Sequence, residues 1–338
     1  MTATFADPAL VITASPHLRG KDSTPRIMWN VVGSLVPIVI AATYFFGPSA
    51  LLVIGASAAG AVATEHLFGP GGTLRDGSAA ITGILLGLTL PAGLPMWMAV
   101  LGGVFAIGFG KLIFGGLGYN VFNPALLGRA FLQAAFPSSL TTWPAVGASW
   151  WALRGDNFAF PFMHPRVVDA VTAATPLGLM KFEGKGTPLI NLMLGTTGGS
   201  LGETAGILIL LCGAYLAFRG YLNWRIPLGV LGTVAIFSAV LHAIDSTHYA
   251  SPLFELFSGG LMLGAVFMAT DYVTAPGTNR GRWIFAASIG ALVVIIRVWG
   301  GLPEGVMYAI LLMNALVPFI NRVTQPAVFG ATRAGTPA

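Results

Sequence analysis

The stretch DAVTAATPLG, Asp169 to Gly178, sets Thr172 and Thr175 three residues apart, behind an aspartate and among small side chains. Two kinds of chemistry suit that spacing. A threonine just ahead of Pro176 can cap a helix, its hydroxyl accepting from a free first-turn amide while proline is preset for the first helical position. A hydroxyl beside Ala173 and Ala174 is also open enough to be an attachment point, with Asp169 near to hold a metal ion or orient a donor. The residue types alone leave both readings standing.

A second set of candidates lies in or beside long apolar runs: Glu65, His66, Lys111, Arg129, Glu203, Glu255, Asp271 and Arg297. An ionisable group inside a membrane is costly and marks function by default. Lys111, Glu203 and Arg297 fall close enough to span ends for their charges to reach the interface, and that is the expectation for them. Arg129, inside NPALLGRAF, is expected to face a cavity or a partner. Asp271 and Glu65 lie beside interrupted helices and are candidates for coupling ion movement.

Other chemistries find no support. The five histidines, His17, His66, His164, His242 and His248, lack ligand spacing, so no metal site is expected. GFGKLIFGGLG is glycine-rich, but its surroundings read as helix and it lacks the phosphate-loop pattern. No nucleophile–base arrangement stands out, and catalytic residues stay unassigned. The single Cys212 can form neither an internal disulfide nor an iron–sulfur cluster, which takes about four ligands.

These groups must be positioned by helices in a bilayer. The 338 residues are 55% hydrophobic and 9% charged, with a mean hydropathy of +0.79. Soluble domains carry roughly a quarter charged residues, so too little polar surface remains to cover a soluble particle. The net charge of +5 then reports topology and not nucleic-acid binding. The first residues lack the basic-then-apolar order of a cleaved signal peptide.

Runs at 27–47, 49–68, 95–115, 201–219, 225–244, 282–299 and 303–321 are long enough to span, and shorter ones lie near 78–90, 121–136 and 256–271. Together they predict an all-α polytopic protein of about ten transmembrane helices. Two halves echo each other. GILLG at 83–87 resembles GLMLG at 260–264, and a base, a glycine pair, a turn and a helix with Asn and Pro recur after Lys111 and after Arg297. Five helices per half would invert the second half, and such folds place sites where broken helices meet. The interrupted segments 78–94 and 256–277 point there.

The predicted organisation is a cytoplasmic segment 1–26, a first membrane repeat 27–136, an outer-face loop 137–200, a second repeat 201–322 and a cytoplasmic tail 323–338. Basic residues such as Arg26, Arg219, Arg225, Arg282 and Arg322 gather on the side of both termini, which favours both ends inside.

Four stretches carry a resemblance over nearly the whole chain: SPHLRGKDSTPRIMWNVVGSLVPIVIAATYFFG, GYNVFNPALLGRAFL, DAVTAATPLG and SGGLMLGAVFMATDYVTAPGT. In combination they resemble the RnfD/NqrB family, membrane subunits of Rnf complexes and sodium-pumping quinone reductases. The short segment ahead of the first span makes the chain more similar to RnfD. The resemblance implies two inverted five-helix repeats like those of urea transporters. It implies FMN joined to Thr175 through a phosphoester, with Asp169 and Thr172 completing the motif, by a flavin transferase that uses FAD. Ala173 stands where the family often has glycine. A second flavin, noncovalent riboflavin, is compatible with the resemblance but points to no residues.

The implied function is electron relay between ferredoxin and NAD, coupled to Na⁺ or H⁺ movement across a bacterial cytoplasmic (inner) membrane. The chain would not be catalytic alone. The A, B, C, E and G partners of an Rnf complex would supply iron–sulfur clusters, further flavin and the NAD site. A urea-transporter-like channel and a structural membrane anchor are the alternatives; the threonine motif separates them, because neither needs it.

Overall fold

A computed structural model describes residues 22–71, 73–144, 146, 151–161, 175–203, 206–246 and 248–326. Asp169 and Thr172 lie outside them. Among the described residues the secondary structure is helical, with no strand. The first half comprises α1 (Thr24–Phe46), α2 (Pro48–Phe68), α3 (Ser78–Leu88), α4 (Met96–Ile107) and α5 (Pro124–Ala135). Short helices α6 (Pro137–Thr141), α7 (Pro176–Gly178) and α8 (Leu189–Leu194) follow. The second half comprises α9 (Gly206–Phe218), α10 (Arg225–Ile244), α11 (Pro252–Phe257), α12 (Leu261–Leu263), α13 (Asn279–Trp299) and α14 (Val306–Thr324).

Five of these, α1, α2, α10, α13 and α14, are long and apolar enough to cross a membrane. Three shorter apolar helices span Ser78–Leu88, Met96–Leu112 and Gly206–Phe218. The protein is therefore a multi-pass membrane protein. Local chemistry fixes the helix ends. Gly47 takes φ +70°, which a side chain would oppose, and Pro48 starts α2 at once, so α1 and α2 form a tight hairpin.

Small residues set the packing. In the first half α2 lies against α3 and α4; a side chain at Gly60 would collide with the main chain of Val100, and one at Gly103 with that of Ser57. In the second half α10 lies against α11 and α13, and a Cβ at Gly290 would stand 2.7 Å from the Val230 carbonyl. Lipid gives helices little hydrophobic reason to associate, so close backbone approach carries the contact. The halves meet where α1 touches α9 and α5 touches α14, and one buried core runs through both, from Leu35 and Leu86 to Phe285 and Ile310.

Several expected spans are shorter or broken. The run near 256–271 is not one helix: α11 stops at Phe257, Gly259 takes φ +66°, and α12 continues into a wide π turn, Gly264–Met268. The run 95–115 likewise loosens into a π turn at Gly108–Leu112, which contains Lys111. Parts of the segment 137–200, and the residues just after it, pack into the first break. The Asn157 side chain donates to the Ala92 and Leu94 carbonyls at 2.9 and 3.0 Å. Gly202 N donates to Leu88 O at 2.6 Å and Leu201 N to Leu90 O at 3.2 Å. Irregular backbone at membrane depth survives only where protein supplies such partners.

Candidate functional site

Thr175 is the N-cap of α7. Its Oγ1 accepts from Gly178 N at 3.1 Å, and Pro176 opens the helix, so the capping reading is borne out at this residue. The segment is tied down from two sides. Leu177 is buried with Leu192 of α8 and Phe254 of α11. Lys181, one turn on, donates through Nζ to the carbonyls of Arg297 (2.7 Å), Gly300 (2.5 Å) and Leu302 (2.9 Å), satisfying the end of α13. Capping does not consume the hydroxyl, because an oxygen that accepts one amide keeps a second lone pair and its own bond.

Thr175 lines a cavity of about 110 Å³ whose walls come from both halves. Arg129 and Gln133 of α5, Glu203, Trp143, Glu304 and Tyr308 share its wall. The Arg129 guanidinium donates to the Thr89 carbonyl at the first break and stands 3.7 Å from Glu304. Glu304 in turn accepts from Gly260 N at the second break. One chain of contacts therefore joins the two interrupted helices through Arg129 and Glu304. Arg129 faces a cavity and a partner, as expected of it. Glu203 accepts from Ser200 Oγ at 2.8 Å and lines the cavity.

A second cavity, also about 110 Å³, lies at the other end of α5. Asn123 caps that helix, its Oδ1 accepting from Ala125 N (3.0 Å) and Leu126 N (3.2 Å), while its amide donates to Met268 O at 3.1 Å. Asn120, Ser78, Lys111 and Asp271 line this cavity. Asp271 holds its own turn, accepting from Val273 N (3.3 Å) and Thr274 Oγ1 (3.1 Å).

Lys111 overturns the interface expectation. Its Nζ lies 2.6 Å from Glu65 Oε1 and 2.6 Å from Ser78 Oγ, with the residue only 2% exposed. Arg297 does the same, donating to Glu255 Oε2 (2.9 Å), Glu255 O (2.6 Å) and Ser258 O (2.8 Å). Both cations find carboxylates on neighbouring elements, so neither has to reach water for a partner. Glu65 and Asp271 thus border one region, Glu65 behind Lys111 and Asp271 on the cavity wall.

Sequence reasoning missed Glu304 and Lys181. Glu304 sits in GGLPEGV, after the glycine pair that marked the repeat, and that position was the available signal. Lys181 carried none, because its partners are main-chain atoms more than a hundred residues away.

The sequence profile of the NQR2, RnfD, RnfE family matches residues 11–330. The chain belongs to this family. It is similar to the D subunit of the proton-translocating ferredoxin:NAD(+) oxidoreductase complex of Clostridium ljungdahlii, 42% identical over 336 residues that cover 95% of this chain and 96% of that protein. It is similar to the D subunit of the ion-translocating oxidoreductase complex of Stutzerimonas stutzeri, 43% identical over 339 residues, covering 94% and 95%. The D subunit of the Na(+)-translocating ferredoxin:NAD(+) oxidoreductase complex of Acetobacterium woodii is 40% identical over 332 residues, covering 96% of each. Membership extends over both halves and both cavities of this RnfD-type fold.

Proposed function

We propose that the chain is the D-type subunit of an ion-translocating ferredoxin:NAD oxidoreductase complex and carries FMN on Thr175. The observation that carries this reading is the place of the Thr175 hydroxyl, on the wall of a cavity between the two halves. The residues there suit the group. Trp143 and Tyr308 offer aromatic faces to a ring system, and Arg129 offers a cation to a group that gains negative charge on reduction. In forming the ester, the threonine oxygen attacks the FMN phosphorus of FAD, AMP leaves, and the hydroxyl proton passes to a base of the transferase. Bound FMN supplies single-electron transfer, which no side chain here provides.

The wider arrangement follows. Ten helices in two inverted five-helix repeats are supported by the matched pairing of α2 with α4 and α10 with α13. The urea-transporter-like architecture implied by the resemblance agrees with that pairing. With both termini on the cytoplasmic face of the inner membrane, Thr175 lies on the outer side and Lys111 on the inner. The second cavity carries polar groups, Asn120 and Asp271 among them, and is where the noncovalent riboflavin is proposed to sit after side chains around it move apart. Asp271 and Glu65 border it and are the ion-coupling candidates. The A, B, C, E and G partners supply the clusters, other flavin and NAD site; a flavin transferase loads Thr175.

Peptide mass spectrometry of the chain expressed with a transferase tests the reading. One FMN phosphoryl group on a peptide containing Thr175, with the fragment series placing it there, is expected. A modified Thr172 with a bare Thr175 would overturn the assignment.

A further inference from the structure

We propose that Arg129 and Glu304 are an opposed electrostatic pair that sets the reduction potential of the flavin at Thr175. The inference rests on the reading that Thr175 carries that flavin. Arg129 and Glu304 line the same cavity of about 110 Å³ as Thr175, and their side chains are 11% and 22% exposed. Neither is free to swing away. Arg129 is held by the Thr89 carbonyl, and Glu304 by the amide of Gly260. These anchors are main-chain atoms at the two helix breaks, so the charges are fixed relative to the cavity and do not merely pair with each other.

Charges held in place by the protein act over distance. Reducing a flavin adds negative charge, so a cation on the wall favours the reduced form and an anion opposes it. A unit charge within about 12 Å, at an effective dielectric near 20, shifts a one-electron equilibrium about tenfold. Glu203 faces the same space, held by Ser200 at 2.8 Å, and is unchanged in both variants. Because Arg129 and Glu304 carry opposite charges, removing one and removing the other must move the potential in opposite directions.

The test is a spectroelectrochemical titration of the full-length chain, loaded by co-expression with the transferase, with Thr175→Ala as the background. Arg129→Met is expected to lower the potential of the covalent flavin by about tenfold in the equilibrium, which is about 59 mV for one electron. Arg129→Lys keeps the charge and should stay near wild type. Glu304→Gln keeps an acceptor for Gly260 N, protects the fold and should raise the potential. A merely structural role would not give shifts of opposite sign. A covalent flavin whose potential is unmoved by Glu304→Gln, or moved the same way by Arg129→Met and Glu304→Gln, overturns this inference and leaves the attachment site standing. A chain with no covalent flavin overturns both.

Discussion

The ammonium of Lys111 lies 2.6 Å from a carboxylate oxygen of Glu65, with the two side chains 3% and 0% exposed. The pair ties the π turn that ends α4 to the last turn of α2 and, through Ser78, to the first turn of α3. Such a pair costs desolvation to form, yet breaking it leaves an uncompensated buried charge. Lys111→Met alone should therefore destabilise the protein by about 3–5 kcal/mol. The double variant Glu65→Gln with Lys111→Met should recover most of that loss. Thermal unfolding in detergent, read by tryptophan fluorescence, checks both. If the double variant folds and still moves ions in the assembled complex, Glu65 is structural and the coupling role passes to Asp271.

Asn123 separates two contributions at one position. Asn123→Ala removes the α5 cap, worth about 1 kcal/mol, and leaves the buried Met268 carbonyl without its donor, costing about 1–3 kcal/mol more. Asn123→Ser keeps a capping oxygen and loses the donor to Met268 without adding a buried charge. The serine variant should lie between wild type and alanine in a denaturant titration. Equal loss in both would mean that the cap contributes nothing.

Lys181 holds the Thr175 segment to the end of α13. Lys181→Met should free residues 184–188 for proteolysis and lower the fraction of chains that carry flavin, while the membrane helices unfold at nearly the wild-type temperature. Limited proteolysis and the ratio of flavin to protein absorbance measure the two effects. An unchanged cleavage pattern would show that the four main-chain contacts do not hold the segment.

Gly103 is where α4 meets the main chain of α2. Gly103→Val should push the helices apart and lower stability by several kcal/mol, as overpacking without room to relax does, at about 1–3 kcal/mol or more per site. Gly33, which has open space around it, should accept alanine with little effect. A Gly103→Val variant as stable as Gly33→Ala would contradict the close approach.

Much of this fold was legible in the sequence, for definite reasons. Apolar length located the five helices long enough to cross a membrane, and the Gly and Pro residues of 78–94 and 256–277 located the interrupted segments. Thr175-Pro176 carried its cap in the local order of residues. The ion pairs were not legible. Lys111 and Glu65 are 46 residues apart, and Arg297 and Glu255 are 42 apart. In a membrane helix both faces are apolar, so periodicity does not reveal which face meets a neighbour. A charge near a span end reads the same whether it turns outward to water or inward to a carboxylate, and Lys111 and Arg297 turn inward. The cavity around Thr175 was hidden for a related reason: Arg129, Glu203 and Glu304 come from three distant segments that only the helix breaks bring together.

The central claim is that Thr175 carries a flavin, and in-gel fluorescence of the denatured chain addresses it most directly. Wild type and Thr175→Ala would be expressed with a flavin transferase and imaged under ultraviolet light before staining. A fluorescent wild-type band that vanishes in Thr175→Ala is the predicted result. A dark wild-type band, beside another flavin-bearing protein of the complex labelled in the same cells, would contradict it and leave Thr175 as a helix cap.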